Sequence, residues 1–238
     1  MEAFESVSTW RQPVPPAASS SRSDLVTRVA TEILARSERR LRVAVDGRTA
    51  AGKTSFAHEL AAAVRALGRP TLRASLDDFK HPWQHASEHG YDRVSGVGYY
   101  RNAHDHASVR RLLLEPAGPS GSGQVVLCAH DPLTGRDHRD VVVRAGPDAV
   151  LIVDTVFAFR PEWDDLWDYR IWLEVAAVQS LDRGVARDSS RDGADEATRV
   201  HRDRYAVAEA IYLAEVGPVS RADVVIDNHD WAAPFVIR

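Results

Sequence analysis

The chain has 238 residues, of which 30 are Lys or Arg and 34 are Asp or Glu, so its formal net charge at pH 7 is −4. The length predicts one domain with a sizeable core. The weak negative charge favours neither nucleic acid nor an anionic membrane as a partner. Cys128 is the only cysteine, which excludes an intrachain disulfide and a cysteine-rich zinc site. Without a long apolar stretch or a secretion signal, we expect a cytoplasmic protein.

Residues 1–22 are rich in proline and serine. We expect them to form a flexible N-terminal segment without a catalytic role. Residues 23–238 are predicted to form the single domain. Its first helix is expected to begin at a cap on Ser23, because apolar residues then recur at helical spacing as far as Leu34.

A glycine-rich phosphate-binding motif, G-x-x-x-x-G-K-[ST], follows a short β-branched run at 41–46. Apolar residues at helical spacing follow the motif as far as Gly68. A glycine-rich turn before an ordinary helix is the alternative, but the order strand, loop, helix favours a nucleotide site. The predicted nucleotide-binding residues are Gly47, Arg48, Thr49, Ala50, Ala51, Gly52, Lys53, Thr54 and Ser55.

The chemistry of this loop follows from its residue types. Glycines let backbone N–H groups approach a phosphate chain closely, and the helix that follows adds the positive end of its dipole. Lys53 is predicted to reach the β- and γ-phosphates of ATP or GTP. The Thr54 hydroxyl is predicted to hold Mg²⁺.

Further strands are predicted at 71–76, 149–154, 169–174 and 222–227, each separated from the next by a helical pattern. This order is typical of an α/β fold with a mostly parallel sheet flanked by helices. Residues 104–115 are predicted to be helical. Segments 124–129 and 140–144 suggest a small β-hairpin added to the main sheet. The long polar stretch 80–102 has no clear periodicity and is expected to be a functional or disordered loop.

Two of these strands end in carboxylates. Asp154 closes an apolar strand, as expected of a Mg²⁺-organising residue beside a phosphate loop, although capping alone also places Asp there. Asp77 and Asp78 close another strand, and one of them is predicted to orient and deprotonate an acceptor hydroxyl. We favour Asp77, also as a candidate Mg²⁺ ligand. At least one of the pair is expected only to cap a turn.

Several elements in the same order resemble the uridine/cytidine kinases, relatives of phosphoribulokinase and of bacterial pantothenate kinase. The resemblance covers roughly residues 41–228. Besides the phosphate loop, it rests on Asp77-Asp78-Phe79, Tyr91-Asp92, His130-Asp131, Asp154, Arg183, Arg187-Asp188, and the run from Tyr205 to Ala222-Asp223-Val224-Val225-Ile226.

The resemblance implies a P-loop NTPase fold and site residues. It assigns Tyr91 and Asp92 to the acceptor's ribose, His130 to the hairpin over the base, and Arg183 and Arg187 to a mobile lid at about 184–196. Two departures are visible. Asp154 stands where the family has Glu, and Gly135 stands near the family's base-contacting histidine, with Arg136 close by as a substitute.

Some of these residues have plainer explanations. Arg183 and Arg187 share one helix face and either stabilise charge on the transferred phosphoryl group or belong to a solvated basic helix paired with acidic neighbours. Aromatic residues of the long loop either line an acceptor pocket or are packing anchors. These are Trp83, Tyr99 and Tyr100, together with His81.

The sequence therefore predicts a Mg²⁺-dependent kinase that transfers the γ-phosphoryl group of ATP or GTP to a small polar acceptor. The resemblance favours a nucleoside 5′-hydroxyl. Pantothenate, a sugar or a sugar phosphate are alternative acceptors, and a nucleotide-binding regulator that changes shape on hydrolysis is an alternative of another class. A homo-oligomer is compatible with the sequence.

Overall fold

A computed structural model describes residues 3–11 and 16–238 of the chain. Within them the strands are β1 Ala3–Glu5, β2 Leu41–Gly47, β3 Thr71–Ser75, β4 Gln124–Val126, β5 Val142–Arg144, β6 Val150–Asp154, β7 Tyr169–Glu174, β8 Val224–Asp227 and β9 Phe235–Val236. Seven of them form one sheet in the order β1-β3-β6-β2-β7-β8-β9. All neighbours in this sheet are parallel except β8 and β9.

Helices cover both faces of the sheet. They are α1 Ser20–Leu34, α2 Lys53–Ala66, α3 Trp83–His89, α4 Gly96–Asn102, α5 His106–Ser108, α6 Glu115–Ala117, α7 Ala177–Asp192, α8 Ala194–Val200, α9 Ala206–Val216 and α10 Pro218–Arg221. Two π-helical stretches, Val109–Leu114 and His201–Tyr205, join α5 to α6 and α8 to α9. Short 3₁₀ turns lie at Leu76–Phe79 and Asp164–Leu166.

Alternate residues of the central strands supply two separate cores, because successive strand side chains point to opposite faces. On one face, Val43 and Val45 of β2 pack with apolar residues of α1 and α2, such as Ile33 and Leu60. On the other face, Ala44 packs with residues contributed by the helices after β3 and by α9. The predicted α/β class with a mainly parallel sheet is confirmed.

The predicted hairpin is present in the expected segments, but it is not part of the main sheet. Strands β4 and β5 pair antiparallel, with Gln124 opposite Arg144, and form a two-stranded sheet of their own instead of extending the main sheet. The stretch 80–102 is also more regular than predicted. It holds α3 and α4, which are too short to show a clear apolar period.

The N-terminal segment contributes structure within the range predicted to be flexible. Residues of β1 pair with Thr71, Leu72 and Arg73 at one edge of the main sheet. Helix α1 begins at Ser20, with Ser19 as its N-cap, so the expected cap at Ser23 is wrong. The Ser19 hydroxyl oxygen accepts from the Arg22 amide, whereas Ser23 donates to the Ser19 carbonyl. Positions 1–2 and 12–15 of the predicted segment lie outside the described residues.

The parallel arrangement brings the carboxyl ends of β2, β3 and β6 to one edge of the sheet. The phosphate-loop motif follows β2, the Asp77-Asp78 pair follows β3, and Asp154 ends β6. Among the described residues, no helix has the length and apolar composition needed to cross a membrane.

Candidate active site

The loop after β2 has the backbone conformation that its glycines predict. Gly52 has φ of 89°, and a Cβ there would lie 2.9 Å from the Asn228 side-chain nitrogen. A Cβ on Gly47 would lie 2.6 Å from the Leu173 carbonyl oxygen of the neighbouring strand. Ala50 is also left-handed, with φ of 56°. The loop therefore combines positive-φ backbone with close packing, for which glycine is the residue without a steric penalty.

Three side chains from distant elements hold the loop in place. Glu209 of α9 accepts a hydrogen bond of 2.6 Å from the Thr49 amide, and the Ser180 hydroxyl of α7 donates to the Thr49 carbonyl at the same distance. Asn228, after β8, donates to the Ala51 carbonyl at 2.7 Å. Nothing in the local sequence pattern links these residues to the loop, so the sequence does not predict their role.

Lys53 lies inside the curve of the loop. Its Nζ donates to the carbonyl oxygens of Gly47 at 3.1 Å and Arg48 at 2.7 Å. Burial lowers the pKa of Lys53, and the carboxylates of Asp46, Glu209, Asp154 and Asp77 oppose that effect. The ammonium group is thus held by the loop backbone next to the place where the motif predicts phosphates.

Asp46, just before the loop, is a buried carboxylate that is not among the predicted site residues. It accepts hydrogen bonds from the Gly47 amide, the Ala158 amide and the Tyr212 hydroxyl, at 2.7, 2.9 and 2.6 Å. Burial raises its pKa to about 6, although these hydrogen bonds lower it. Asp46 therefore connects the start of the loop with the segment that follows β6 and with α9.

Thr54 and Asp154 meet at the start of α2. The Thr54 hydroxyl donates to Asp154 Oδ2 at 2.6 Å, and Asp154 also forms a buried ion pair with Arg73. A hydroxyl and a carboxylate oxygen side by side suit Mg²⁺, which takes one or two protein oxygens together with phosphate oxygens and water. The described residues contain no group of three or more His, Cys, Asp or Glu side chains placed to hold a metal.

The loop opens into a cavity of about 690 Å³ at the carboxyl edge of the sheet. Its wall includes Thr49, Ala50, Gly52, Lys53, Thr54 and Ser55 of the motif, and the predicted residues Asp77, His130, Asp154, Arg183 and Arg187. A cavity of this size, lined by a phosphate-loop motif and converging charged groups, is a candidate active site.

Asp77 and Asp78 separate into two roles. Asp77 lines the cavity and pairs with Lys80 at 2.7 Å. Burial favours a higher pKa for Asp77, but the charge and hydrogen bond of Lys80 hold the pKa below its ordinary value. Asp78 points away, is 3% exposed, and accepts a 2.6 Å hydrogen bond from Ser6. Burial raises the pKa of Asp78 to about 7.

The predicted acceptor residues are not all brought together. His130 lines the cavity, whereas Tyr91, Asp92 and Arg136 do not. Asp92 Oδ1 accepts from the amides of Val94 and Ser95 at 2.7 and 3.1 Å, so this carboxylate caps the turn before α4. Binding of an acceptor by Asp92, Tyr91 and Arg136 remains a prediction from the resemblance.

The predicted lid arginines lie on α7, which the structure extends to Asp192. Arg183 donates to the carbonyls of Asn228 and His229, and Arg187 pairs with Asp188 at 2.8 Å. Asp188 is itself buried and bonded to His201 at 2.8 Å. Arg187 thus faces the cavity with an acidic partner already in contact.

The N-terminal segment unexpectedly adds to the cavity wall. The Thr9 amide and hydroxyl donate to Asp131 at 2.6 and 3.0 Å, and Trp10 lines the cavity. The Arg191 guanidinium of α7 lies 5.6 Å from the centre of the Trp10 ring. No pattern in 1–22 signals this, because the contacts are made with residues more than 120 positions away.

Comparison with solved structures gives three informative neighbours. A possible uridine kinase from Bacillus stearothermophilus is 22% identical, with 87% of this chain and 98% of that chain covered and a TM-score of 0.62. A candidate fructose transport system kinase from Silicibacter sp. TM1040 is 25% identical, with 78% and 93% covered and a TM-score of 0.60. D-glycerate 3-kinase from Cryptococcus neoformans var. grubii is 10% identical, with 90% and 99% covered and a TM-score of 0.59.

No protein-family model and no curated protein sequence matches the chain significantly. The structural neighbours belong to the phosphoribulokinase/uridine kinase group of P-loop kinases. The chain has the fold of that group, and the resemblance inferred from the sequence is confirmed at the level of the fold.

Proposed function

We propose that the protein is a small-molecule kinase that transfers the γ-phosphoryl group of ATP or GTP to a hydroxyl group. The observation that carries this proposal is that residues of the phosphate-loop motif and Asp77 line the same cavity. The kinases with the same fold support it. A regulator that only binds and hydrolyses a nucleotide does not need further cavity space lined by a carboxylate beside the loop.

Each group of cavity residues has its own role in the proposed reaction. Loop amides and Lys53 bind the phosphates, while Asp77 accepts a hydrogen bond from the acceptor hydroxyl and aims its oxygen at the γ-phosphorus. The new O–P bond forms as the bond from the γ-phosphorus to the bridging oxygen breaks. The hydroxyl proton passes to Asp77, and ADP or GDP leaves. Arg183 and Arg187 stabilise the negative charge on the transferred group.

Mg²⁺ bound to the triphosphate supplies neutralisation of the phosphate charge. Thr54 and Asp154 are the residues that we propose to hold it, with Asp77 as a further candidate. The side chain of Asp154 is shorter than the Glu of the uridine kinases, so contact through a water molecule is expected.

The acceptor that the resemblance to uridine/cytidine kinases favours is a nucleoside, phosphorylated at its 5′-hydroxyl. His130 lines the cavity, and the resemblance assigns it to the hairpin over the base of this acceptor. Pantothenate, sugars and sugar phosphates remain alternative acceptors within the same proposal.

The test is acceptor-dependent release of ADP or GDP from the purified protein with Mg²⁺. Uridine, cytidine, pantothenate and pentose phosphates are screened separately. Release that rises with one acceptor, together with mass-spectrometric detection of its phosphorylated form, supports the proposal. Hydrolysis that no acceptor accelerates contradicts it and favours the regulator.

A further inference from the structure

The acceptor end of the cavity holds two arginines that lack acidic partners. Arg93 and Arg204 both line the cavity. Among the residues that the structure describes, no carboxylate oxygen lies within 4.0 Å of either guanidinium, whereas Arg187 and Arg191 each have an Asp. These two cations therefore differ from Arg187 and Arg191 on the same wall, whereas Arg183 is held by the backbone carbonyls of Asn228 and His229.

Arg93 is the more informative of the two, because it is 4% exposed. It donates to the His81 carbonyl, and its guanidinium lies 4.2 Å from the centre of the Trp83 ring. Its Nε is buried and has no hydrogen-bond partner in the described part of the chain. A buried cation with an unused donor is costly unless an anion joins it. Packing on Trp83 alone does not satisfy that donor.

The nearest acidic residue in the sequence does not supply this anion. Asp92 directs its oxygens to Val94 and Ser95 instead. Arg204 is likewise oriented by a backbone group, since its Nε donates to the Val94 carbonyl at 2.7 Å. Its guanidinium lies 5.8 Å from the centre of the same Trp83 ring. Backbone carbonyls thus orient both guanidiniums near the Trp83 ring, and no carboxylate of the described residues neutralises their positive charges there.

A series of neighbouring groups connects the phosphate loop with this region. Asp77 interacts electrostatically with both Lys53 and Lys80, and Lys80 interacts with Tyr99 and Tyr205. The neighbours of Arg93 are Tyr91, Tyr99, Tyr205 and Arg204. An anion held here therefore belongs to the acceptor and not to the triphosphate.

The charge of the whole cavity wall also favours an anionic acceptor. The described wall carries the cations Lys53, Lys80, Arg93, Arg183, Arg187, Arg191 and Arg204 and the anions Asp77, Asp131, Asp154 and Asp188. The excess is positive, although the chain as a whole has a net charge of −4. Concentrated positive charge in a negatively charged protein raises the local concentration of an anionic substrate.

We infer that Arg93 and Arg204 form a subsite for a carboxylate or phosphate group carried by the acceptor, so that the substrate is an anionic hydroxy compound. This inference rests on the proposed kinase function. It favours the anionic alternatives over an unmodified nucleoside. The planar guanidinium fork matches both carboxylate and phosphate oxygens.

The experiment compares acceptor pairs that differ in the anionic group. Pantothenate is paired with pantothenol for the carboxylate, and ribose 5-phosphate with ribose for the phosphate. Phosphoryl transfer is measured with Mg²⁺ and ATP, and acceptor binding is measured by calorimetry with Mg²⁺ and a non-hydrolysable ATP analogue. We expect at least one anionic member to be preferred by on the order of 10- to 100-fold in kcat/KM or Kd.

Variants assign that preference to the two arginines. Arg93→Gln and, in case the buried change disturbs folding, the more accessible Arg204→Gln should each remove most of it while the KM for ATP stays unchanged. Arg93→Lys should retain part of it. Arg101→Gln is the matched control, because Arg101 pairs with Glu215 outside the cavity. Equal use and binding of charged and neutral partners, or a preference that survives both Gln variants, overturns the subsite.

The binding arm separates the two proposals. Anion binding that depends on Arg93 or Arg204 without any phosphoryl transfer keeps the subsite and rejects the kinase function for these acceptors. Transfer to neutral acceptors alone keeps the kinase function and rejects the subsite. The member of the two pairs that is preferred identifies the anion as carboxylate or phosphate.

Discussion

Adjacent residues with the same side chain, Asp77 and Asp78, have opposite environments. Asp77 lies in the cavity next to Lys80, while Asp78 is buried against Ser6 and accepts two backbone hydrogen bonds at its carbonyl. The short 3₁₀ turn Leu76–Phe79 produces this difference, because successive side chains of a tight turn point in different directions. A substitution at Asp78 can therefore serve as the control for the same substitution at Asp77.

Replacing Asp77 by Asn should lower kcat by about 10²- to 10⁴-fold, because the amide cannot take the hydroxyl proton. The Kd for ATP should change little, since the loop backbone and Lys53 bind the phosphates. Initial rates of ADP release, with nucleotide binding by calorimetry, measure both quantities. Asp78→Asn is the control and should keep most of the activity. Equal losses in the two variants would contradict the role of Asp77.

Asp78 also makes stability depend on pH. Its carboxyl ionises near pH 4 in an unfolded chain and at about pH 7 in the folded protein. Between these values the folded protein binds the extra proton, so this group lowers the free energy of unfolding as pH rises from about 4 to about 7.

Asp78→Asn removes the carboxyl that titrates. The unfolding free energy of the variant should therefore rise relative to that of the unmodified protein as pH rises. Urea unfolding at pH 5 and pH 8 measures the difference. The variant's advantage in unfolding free energy should be clearly larger at pH 8 than at pH 5. A difference in unfolding free energy that is the same at both pH values would mean that the carboxyl is ionised throughout.

The N-terminal segment shows how an element of low sequence signal contributes to a site. Strand β1 fixes its start at the sheet edge, Ser6 and Thr9 tie it to Asp78 and Asp131, and Trp10 then joins the cavity wall. The hydrogen bonds of Ser6 and Thr9 reach the 3₁₀ turn and the turn after His130, on the side of the cavity that we propose to bind the acceptor.

Deleting residues 1–11 should raise the acceptor KM by roughly 3- to 10-fold, because neutral hydrogen bonds of this kind contribute about 1 kcal/mol each. The KM for ATP should stay the same. Steady-state kinetics with each substrate varied in turn give both values. The double variant Ser6→Ala, Thr9→Val keeps Trp10 but removes the side-chain hydrogen bonds to Asp78 and Asp131, and should shift the acceptor KM in the same direction. A raised KM for ATP alone would instead connect the segment with the phosphate loop.

The phosphate loop, by contrast, depends on elements from the whole chain. Glu209, Ser180 and Asn228 hold it from α9, α7 and the end of β8. Ligand binding at the loop should therefore stabilise the entire domain, since a ligand that binds only the folded state shifts the unfolding equilibrium.

A non-hydrolysable ATP analogue with Mg²⁺, at 100 times its Kd, should raise Tm by about 5–10 °C. Differential scanning calorimetry measures the shift. Lys53→Ala at the same ligand concentration should show a much smaller shift, as should the unmodified protein with EDTA. An unchanged Tm under these conditions would mean that the loop does not bind the nucleotide.

The local sequence determined the parts of this protein that depend on short-range physics. The β-branched runs ending in Asp, the glycine spacing at 47–52 and the helical repeat after it specify three parallel strands and a phosphate loop, because strand period, backbone φ and helix period are properties of neighbouring residues. The α/β class followed from those patterns, whereas the group of kinases was indicated by the resemblance of further motifs along the chain.

Only the tertiary structure decided which side chains share the cavity. Asp92 matches the family pattern but caps a turn, whereas Arg93, one residue later, enters the cavity wall. Trp10 and Glu209 joined the site from opposite ends of the chain. These outcomes depend on packing between residues far apart in sequence, and on which buried charges find partners there. That information is not present in any local window of the chain.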